Sequence, residues 1–382
     1  MRDALEVQFF GYSIGYGDFG NYFFRPFFAS STTWFEMIES LFLKNLWYFS
    51  MHGSFLKKGK LVGKEILGER IVFGRDENNK PFALKDNCPH RGVPLSQGWY
   101  DGKVIQCCYH GWKFDHTGTC LGIPALADEK FDPKKIKVFQ YPCKEINGTI
   151  WVYIPLNKTQ LSGADDHVPN LLIPEAEDFL FVEKVMMPTD IDHAVIGLID
   201  PAHVTFVHQS WYWRSAKNLK LKKKDFEPVD LGFKMTRHAP SSNSKGYSVL
   251  KGGTSTEINF QLPGVRLEHI QAGSREIVSI TCLTPINENE TELNHIFFSS
   301  LGLVKYLWWP LRQLGKQFIH QDLGIFRKLG EGLKSKPTLM LLGEPDAQAR
   351  WYHELKRQWD MSQQNKTPFV NPVSAKTLHW IT

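Results

Sequence analysis

Two short segments constrain this chain more than anything else in it: Cys88-Pro-His90 and Cys107-Cys108-Tyr109-His110. Each offers a thiol and an imidazole within a loop-sized stretch. A fold that uses both must bring two separate loops to one point and hold them there. Two soft sulfur donors and two nitrogen donors suit two kinds of centre. One is a [2Fe–2S] cluster with two Cys on one iron and two His on the other. The other is a Cys2His2 zinc site. The Cys-x-His spacing of the first loop is shorter than the usual zinc-finger pair, which favours the cluster. In the second loop either Cys107 or Cys108 can serve. The spacing favours Cys107, giving Cys88, His90, Cys107 and His110 as the expected ligands.

The flanking text fits a small all-β module. Glu69–Phe73 reads as a strand, 76–80 as a turn, and Pro81–Leu84 as the return strand. Trp112–Asp115 runs to a Thr117-Gly118-Thr119 turn, and Thr149–Ile154 is a further strand stopped by Pro155. Residues 156–170 are polar with Gly and Pro and read as a linker. Beyond it, helical patterns around 190–208, 311–333 and 345–360 are segregated from strand-like alternation over 246–300. That segregation predicts an α+β domain with an antiparallel sheet. The expected division is an extension at 1–43, an iron–sulfur domain at 44–156 and a second domain at 157–382. Trp34–Leu43 reads as a short helix, and the aromatic stretch 22–28 carries no assigned role.

A second constellation lies in the later domain: Asp200-Pro-Ala-His203-Val-Thr-Phe-Val-His208. Two His with a distant carboxylate make the facial triad of non-haem Fe(II) sites, which leaves positions open for O2 and substrate. His203 and His208 are five residues apart, about 140° round a regular helix, so both cannot chelate from one. The spacing predicts a helix end or a π-bulge between them. Asp200-Pro201 also reads as an N-cap and N1 pair. Asp190, Asp192 and His193 are rival ligands with poorer spacing.

Here a resemblance becomes specific. Cys88-Pro-His-Arg-Gly-Val-Pro-Leu-Ser-Gln-Gly and Cys107-Cys-Tyr-His-Gly-Trp-Lys-Phe resemble the cluster loops of Rieske non-haem iron oxygenases. The Asp200–His208 segment resembles the mononuclear iron motif of the same family. Cys108 stands where relatives commonly have Pro, and Gly197 where they often have Asn. The resemblance implies an N-terminal Rieske domain joined to a helix-grip catalytic domain. It implies iron ligation by His203, His208 and a carboxylate on a late helix. Asp322 fits that place, with Glu331, Glu344 and Asp346 as weaker choices. It also implies that Asp200 bridges toward the Rieske histidine of a neighbouring subunit in a homotrimeric ring.

The function this implies is that of a terminal oxygenase: a mono- or dioxygenase that hydroxylates or O-demethylates an apolar cyclic substrate with O2. No dinucleotide fingerprint follows a strand, so electrons from NAD(P)H are expected through a separate reductase, with or without a ferredoxin. An electron-transfer or redox-sensing protein with a ligand-binding domain is the alternative. A net charge of +5 over 382 residues is too small to argue for nucleic acid. The six cysteines form no secreted framework, the N-terminus shows no signal, and no apolar run spans a bilayer, so a cytoplasmic location is expected. The absence of any Cys after Cys282 argues against the chlorophyll-breakdown branch of the family. The lysines at 217, 220 and 222–224 read as a solvated loop, with a docking patch for an acidic electron carrier or a membrane surface as the functional alternative.

Overall fold

The computed structural model describes residues 8–9, 12–13, 42–127, 130–159, 161, 163–171, 179–208, 219–240, 253–300, 308–337 and 340–382. The expected helix at 34–43 and the aromatic stretch 22–28 therefore lie almost wholly outside the described residues, as does Lys217.

The N-terminal part is a β module of three small sheets. Its strands are β1 (Leu46–His52), β2 (Val62–Ile66), β3 (Glu69–Arg75), β4 (Pro81–Lys85), β5 (Trp99–Tyr100) and β6 (Ile105–Gln106). They continue as β7 (Lys113–Phe114), β8 (Cys120–Gly122), β9 (Gln140–Tyr141), β10 (Cys143–Ile146) and β11 (Thr149–Ile154). The sheet orders are β9-β4-β3-β2, β10-β11-β1 and β8-β7-β6-β5. The last of these carries the second cysteine loop, and β4 leads into the first. The predicted 76–80 turn closes β3 onto β4, with Asn79 at φ 64°. A residue at positive φ that is not Gly is most often Asn, so this turn is legible in the sequence.

The later part is one eight-stranded antiparallel sheet with helices packed on it. Its elements in chain order are β12 (Phe179–Met187), α1 (Ile191–Ile199), α2 (Val204–Val207), β13 (Leu221–Val229), β14 (Gly232–His238), β15 (Thr254–Gln261) and β16 (Val265–Ala272). Then come β17 (Arg275–Asn287), β18 (Glu290–Ser299), α3 (Trp308–Leu333), α4 (Ala347–Asn365) and β19 (Lys376–Ile381). The strand order is β12-β18-β17-β16-β15-β14-β13-β19. Strand periodicity decides the two faces. Val185, Leu283 and Leu293 pack with Ala194 and Val195 of α1 and with Ile319, Leu323 and Phe326 of α3. Val278, Ile280, Cys282 and Ile296 point the other way, onto Trp47, Phe49, Trp151 and Tyr153 of the β module. The sheet is thus a shared wall between the module and the helices.

The basic run is a correction. Leu221–Lys224 is the start of β13, paired with β19, rather than a loop. Lys222 is buried, while Lys223 is exposed. Lysine-rich text hid a strand because the long aliphatic stems pack while the amines reach out.

Candidate active site

The two cysteine loops are built alike. In the first, the Cys88 N–H donates to Val93 O at 2.9 Å and the Gly92 N–H donates to Cys88 O at 2.8 Å. In the second, the Cys107 N–H donates to Trp112 O at 2.8 Å and the Gly111 N–H donates to Cys107 O at 3.1 Å. Gly92 and Gly111 close the turns at φ +78° and +70°, a conformation that only glycine adopts without cost. The loops are equivalent only if Cys107 matches Cys88. A glycine four residues after each is the signal that resolves Cys107 from Cys108.

Burial agrees with that pairing. Cys88 and Cys107 are each 2% exposed and lie in the module's own core, whereas Cys108 is exposed. The two thiols sit in one buried cluster of the module's core. Burial pushes the Cys88 thiol up to about 11, with Cys107 adding to the rise. A thiol raised this far does not ionise unaided at neutral pH, so Cys88 fits a metal that supplies the compensating charge. The imidazoles sit outward: His90 and His110 have ring centroids 4.4 Å apart, and His90 stacks on Trp112 at 4.9 Å. Sulfurs inside and imidazoles at the surface suit a [2Fe–2S] cluster with unlike ends. Cys120 and Cys282 are plain buried core cysteines.

The second group converges from two elements, the turn α2 and the helix α3. One ligand atom from each of His203, His208 and Asp322 lies within 4.8 Å of the others. Among the described residues this is the one such group. His208 Nε2 is 3.2 Å from Asp322 Oδ1, and His203 Nε2 is 3.7 Å from the same oxygen. His208 Nε2, which faces Asp322, is buried without a hydrogen-bond partner. A buried ring nitrogen left unpaired costs free energy unless something binds it, and two imidazoles with a carboxylate are the donors an iron takes. The residues therefore fit a mononuclear metal.

The local chain explains how two His five apart can meet. α1 stops at Ile199, with Asp200 as its C-cap at ψ 118°, and α2 is a separate single turn bounded by His203 and His208. The gap after α1 lies before His203; between the two His runs the single turn α2, which ends at Val207 with His208 outside helical geometry at φ −95° and ψ 53°, so the interruption is a helix end and not a π-bulge. Nor is Asp200 an N-cap: its carboxylate accepts from the Ala202 N–H at 2.7 Å and sits 3.5 Å from His203 Nδ1. Burial is the largest influence on His203 and pulls its pKa down, but Asp200 and Asp322 together outweigh it and leave it raised.

The rival ligands are engaged elsewhere. Asp192 accepts from Tyr352 at 2.6 Å and from Lys356, tying α1 to α4. Asp190 caps α1 and accepts from His193 at 2.8 Å. Glu344 bonds His379, and Asp346 accepts from the Leu342 N–H. Gly197 has a packing reason: a Cβ there would sit 2.4 Å from Phe326 Cζ on α3.

Comparison with known proteins follows from this geometry. Residues 46–142 match the Rieske [2Fe-2S] domain family. A chlorophyllide a oxygenase of Arabidopsis thaliana is 25% identical over 304 residues, 74% of this chain and 51% of that protein. The 3-chlorobenzoate-3,4-dioxygenase oxygenase subunit of Comamonas testosteroni is 31% identical over 150 residues, 39% of this chain and 34% of that protein. The chain spans about a quarter to half the length of such curated relatives. In solved structures, dicamba monooxygenase bound to 3,6-dichlorosalicylic acid superposes with a TM-score of 0.71 at 19% identity, covering 85% of this chain and 99% of that one. The predicted fold, a Rieske β module followed by an antiparallel-sheet domain, is the one observed.

Proposed function

From its Rieske domain, its relatives and its fold, we propose that this chain is an alpha subunit of the Rieske non-haem iron oxygenases and acts as a terminal oxygenase. It hydroxylates or O-demethylates an apolar cyclic substrate with O2. Electrons come from NAD(P)H through a separate reductase, with or without a ferredoxin. The observation that carries this reading is the convergence of His203, His208 and Asp322 in a chain that also holds two cysteine–histidine loops. When bound, the cluster supplies single electrons and the mononuclear iron supplies oxygen activation.

The residues divide the work. Cys88 and Cys107 would hold one iron of the cluster in the dry interior of the module. His90 and His110 would hold the other at the surface, where a partner can approach. His203, His208 and Asp322 would take one face of the mononuclear iron and leave the rest open. Asp200, beside His203 Nδ1 on the side away from Asp322, would bridge toward the Rieske histidine of a neighbouring subunit in a homotrimer. A closed ring of head-to-tail contacts is the assembly such a bridge requires. Free thiols at all six cysteines accord with a reducing, cytoplasmic setting. Among the described residues no helix is long and apolar enough to cross a membrane.

The test is O2 consumption by the reconstituted chain with a Rieske reductase and NADH, across aromatic acids and cyclic hydrocarbons. Substrate-dependent uptake with an oxygenated product is expected. The alternative of an electron carrier or redox sensor predicts ligand binding and a change in cluster potential with no product. Asp200→Asn is expected to keep both metal contents and to slow oxidation of the pre-reduced Rieske centre in a single turnover. An unchanged rate would remove the bridging role.

A further inference from the structure

We propose that Gln321 is a positioning residue for the mononuclear site: its side-chain carbonyl selects the tautomer of His208 and fixes the ring, without adding charge. The inference rests on the metal site proposed above.

His208 is 0% exposed, so its two ring nitrogens see only protein. Nδ1 lies 3.0 Å from Gln321 Oε1. Nε2 has no hydrogen-bond partner and faces Asp322. An amide oxygen only accepts, so Nδ1 carries the hydrogen. The lone pair is thereby left on Nε2, on the side where His203 and Asp322 converge. The ring is also fixed in tilt, because Phe318 stacks on it at 3.4 Å and 14°. Phe318, Gln321 and Asp322 all come from α3. Consecutive helical residues point about 100° apart, enough for Gln321 and Asp322 to reach opposite edges of one imidazole. One helix therefore supplies a ligand, a tautomer lock and a ring clamp.

The two imidazoles differ in what lies behind them. His203 has a carboxylate, Asp200, at 3.5 Å from Nδ1. His208 has a neutral amide. A carboxylate at position 321 would set a second anion beside Asp322, against a wholly buried ring. Partners of this kind commonly change metal affinity ~10–100-fold when removed.

The test uses Co(II) as the probe, with the Rieske cluster intact and its absorbance as the check on folding. Equilibrium dialysis measures Co(II) uptake by the protein freed of mononuclear metal. Long-range 1H–15N correlation spectra of the same metal-free protein, labelled at histidine, report the His208 tautomer. In the wild type a single Nδ1–H form is expected. Gln321→Leu is expected to lose ~10–100-fold in Co(II) affinity and to show mixed tautomers, whereas Gln321→Glu, which keeps an acceptor at Nδ1, retains the single Nδ1–H form. Loss of Co(II) binding in Asp322→Ala with unchanged binding in Gln321→Leu overturns the role of Gln321 alone. Wild-type uptake that is indifferent to Asp322→Ala overturns the metal site itself, and this inference with it.

Discussion

At the scale of single residues, position within a loop outweighs chemical type. Cys107 and Cys108 are adjacent thiols, yet one is buried against Cys88 and the other is exposed. Cys107→Ser is therefore expected to abolish the cluster, read as loss of acid-labile sulfide and of the reduced-state electron paramagnetic signal. Cys108→Ser should keep both, and loss of sulfide in that variant would reverse the assignment. A second residue-scale prediction concerns His295. It is half-buried on β18, bonded to Thr281 Oγ1 at 2.9 Å, with Arg266 and Glu268 as its charged neighbours. Burial, helped by Arg266, lowers its pKa from 6.5 to about 4. The folded state thus holds it neutral while the unfolded chain takes up a proton. Its contribution to stability is complete above pH 6.5 and is lost as pH falls toward 4. At 1.36 kcal/mol per unit the shift amounts to about 3 kcal/mol. Urea midpoints for His295→Gln should fall less steeply over that range than those of the wild type. Identical slopes would mean that His295 is protonated in the fold.

At the scale of elements, the iron site depends on a helix that stops. The sequence already required a break between His203 and His208, because five residues on a regular helix point apart. It did not show which device supplies the break. The structure closes the single turn α2 at Val207 and leaves His208 at φ −95° and ψ 53°, while the earlier stop of α1 at Ile199, before a Pro201 that provides no N–H to continue the hydrogen-bond ladder, lies ahead of both histidines. The helix α3 meets α1 at Gly197, where the Phe326 ring occupies the space of a side chain. Alanine at 197 would gain about 1 kcal/mol of helix propensity. Overpacking costs ~1–3 kcal/mol, and a contact of 2.4 Å puts this site at the costly end. Gly197→Ala should lower the melting temperature and the bound mononuclear iron together, because α3 also carries Asp322. Phe326→Leu in that background should restore part of both. A variant as stable and as iron-replete as the wild type would show that the helices can part without harm.

At the scale of the whole molecule, the two halves are joined as one body by more than a linker. Trp359 Nε1 donates to Lys44 O at 2.8 Å, Thr284 Oγ1 donates to Phe49 O at 2.8 Å, and the Leu67 N–H donates to Pro285 O at 2.9 Å. Glu292 on β18 takes Lys64 of the module at 2.6 Å and Lys184 at 2.5 Å. Burial raises the Glu292 pKa, but the two lysines and Asn294 outweigh it and hold the carboxyl below its usual 4.5. Removing one partner of a buried pair costs about 3–5 kcal/mol, while an apolar replacement of both is often neutral. Lys64→Met should lower the urea midpoint clearly, and Lys64→Met with Glu292→Leu should recover it. Equal midpoints for wild type and Lys64→Met would show that the pair contributes nothing. The chain's text by itself determined the two donor sets, the all-β character of the first half, the segregation of strands from helices in the second, and the need for a break before His208. Each of these is local, written in spacing and periodicity. Tertiary structure brought Asp322, the carboxylate the family resemblance favoured, to the histidines. It alone turned the basic run into part of β13, with Lys222 buried, and set Gln321 and Phe318 against His208. Those outcomes depend on the rotation of α3 about its axis and on which strand pairs with which. Residues far apart in sequence set both, through packing that no short window records.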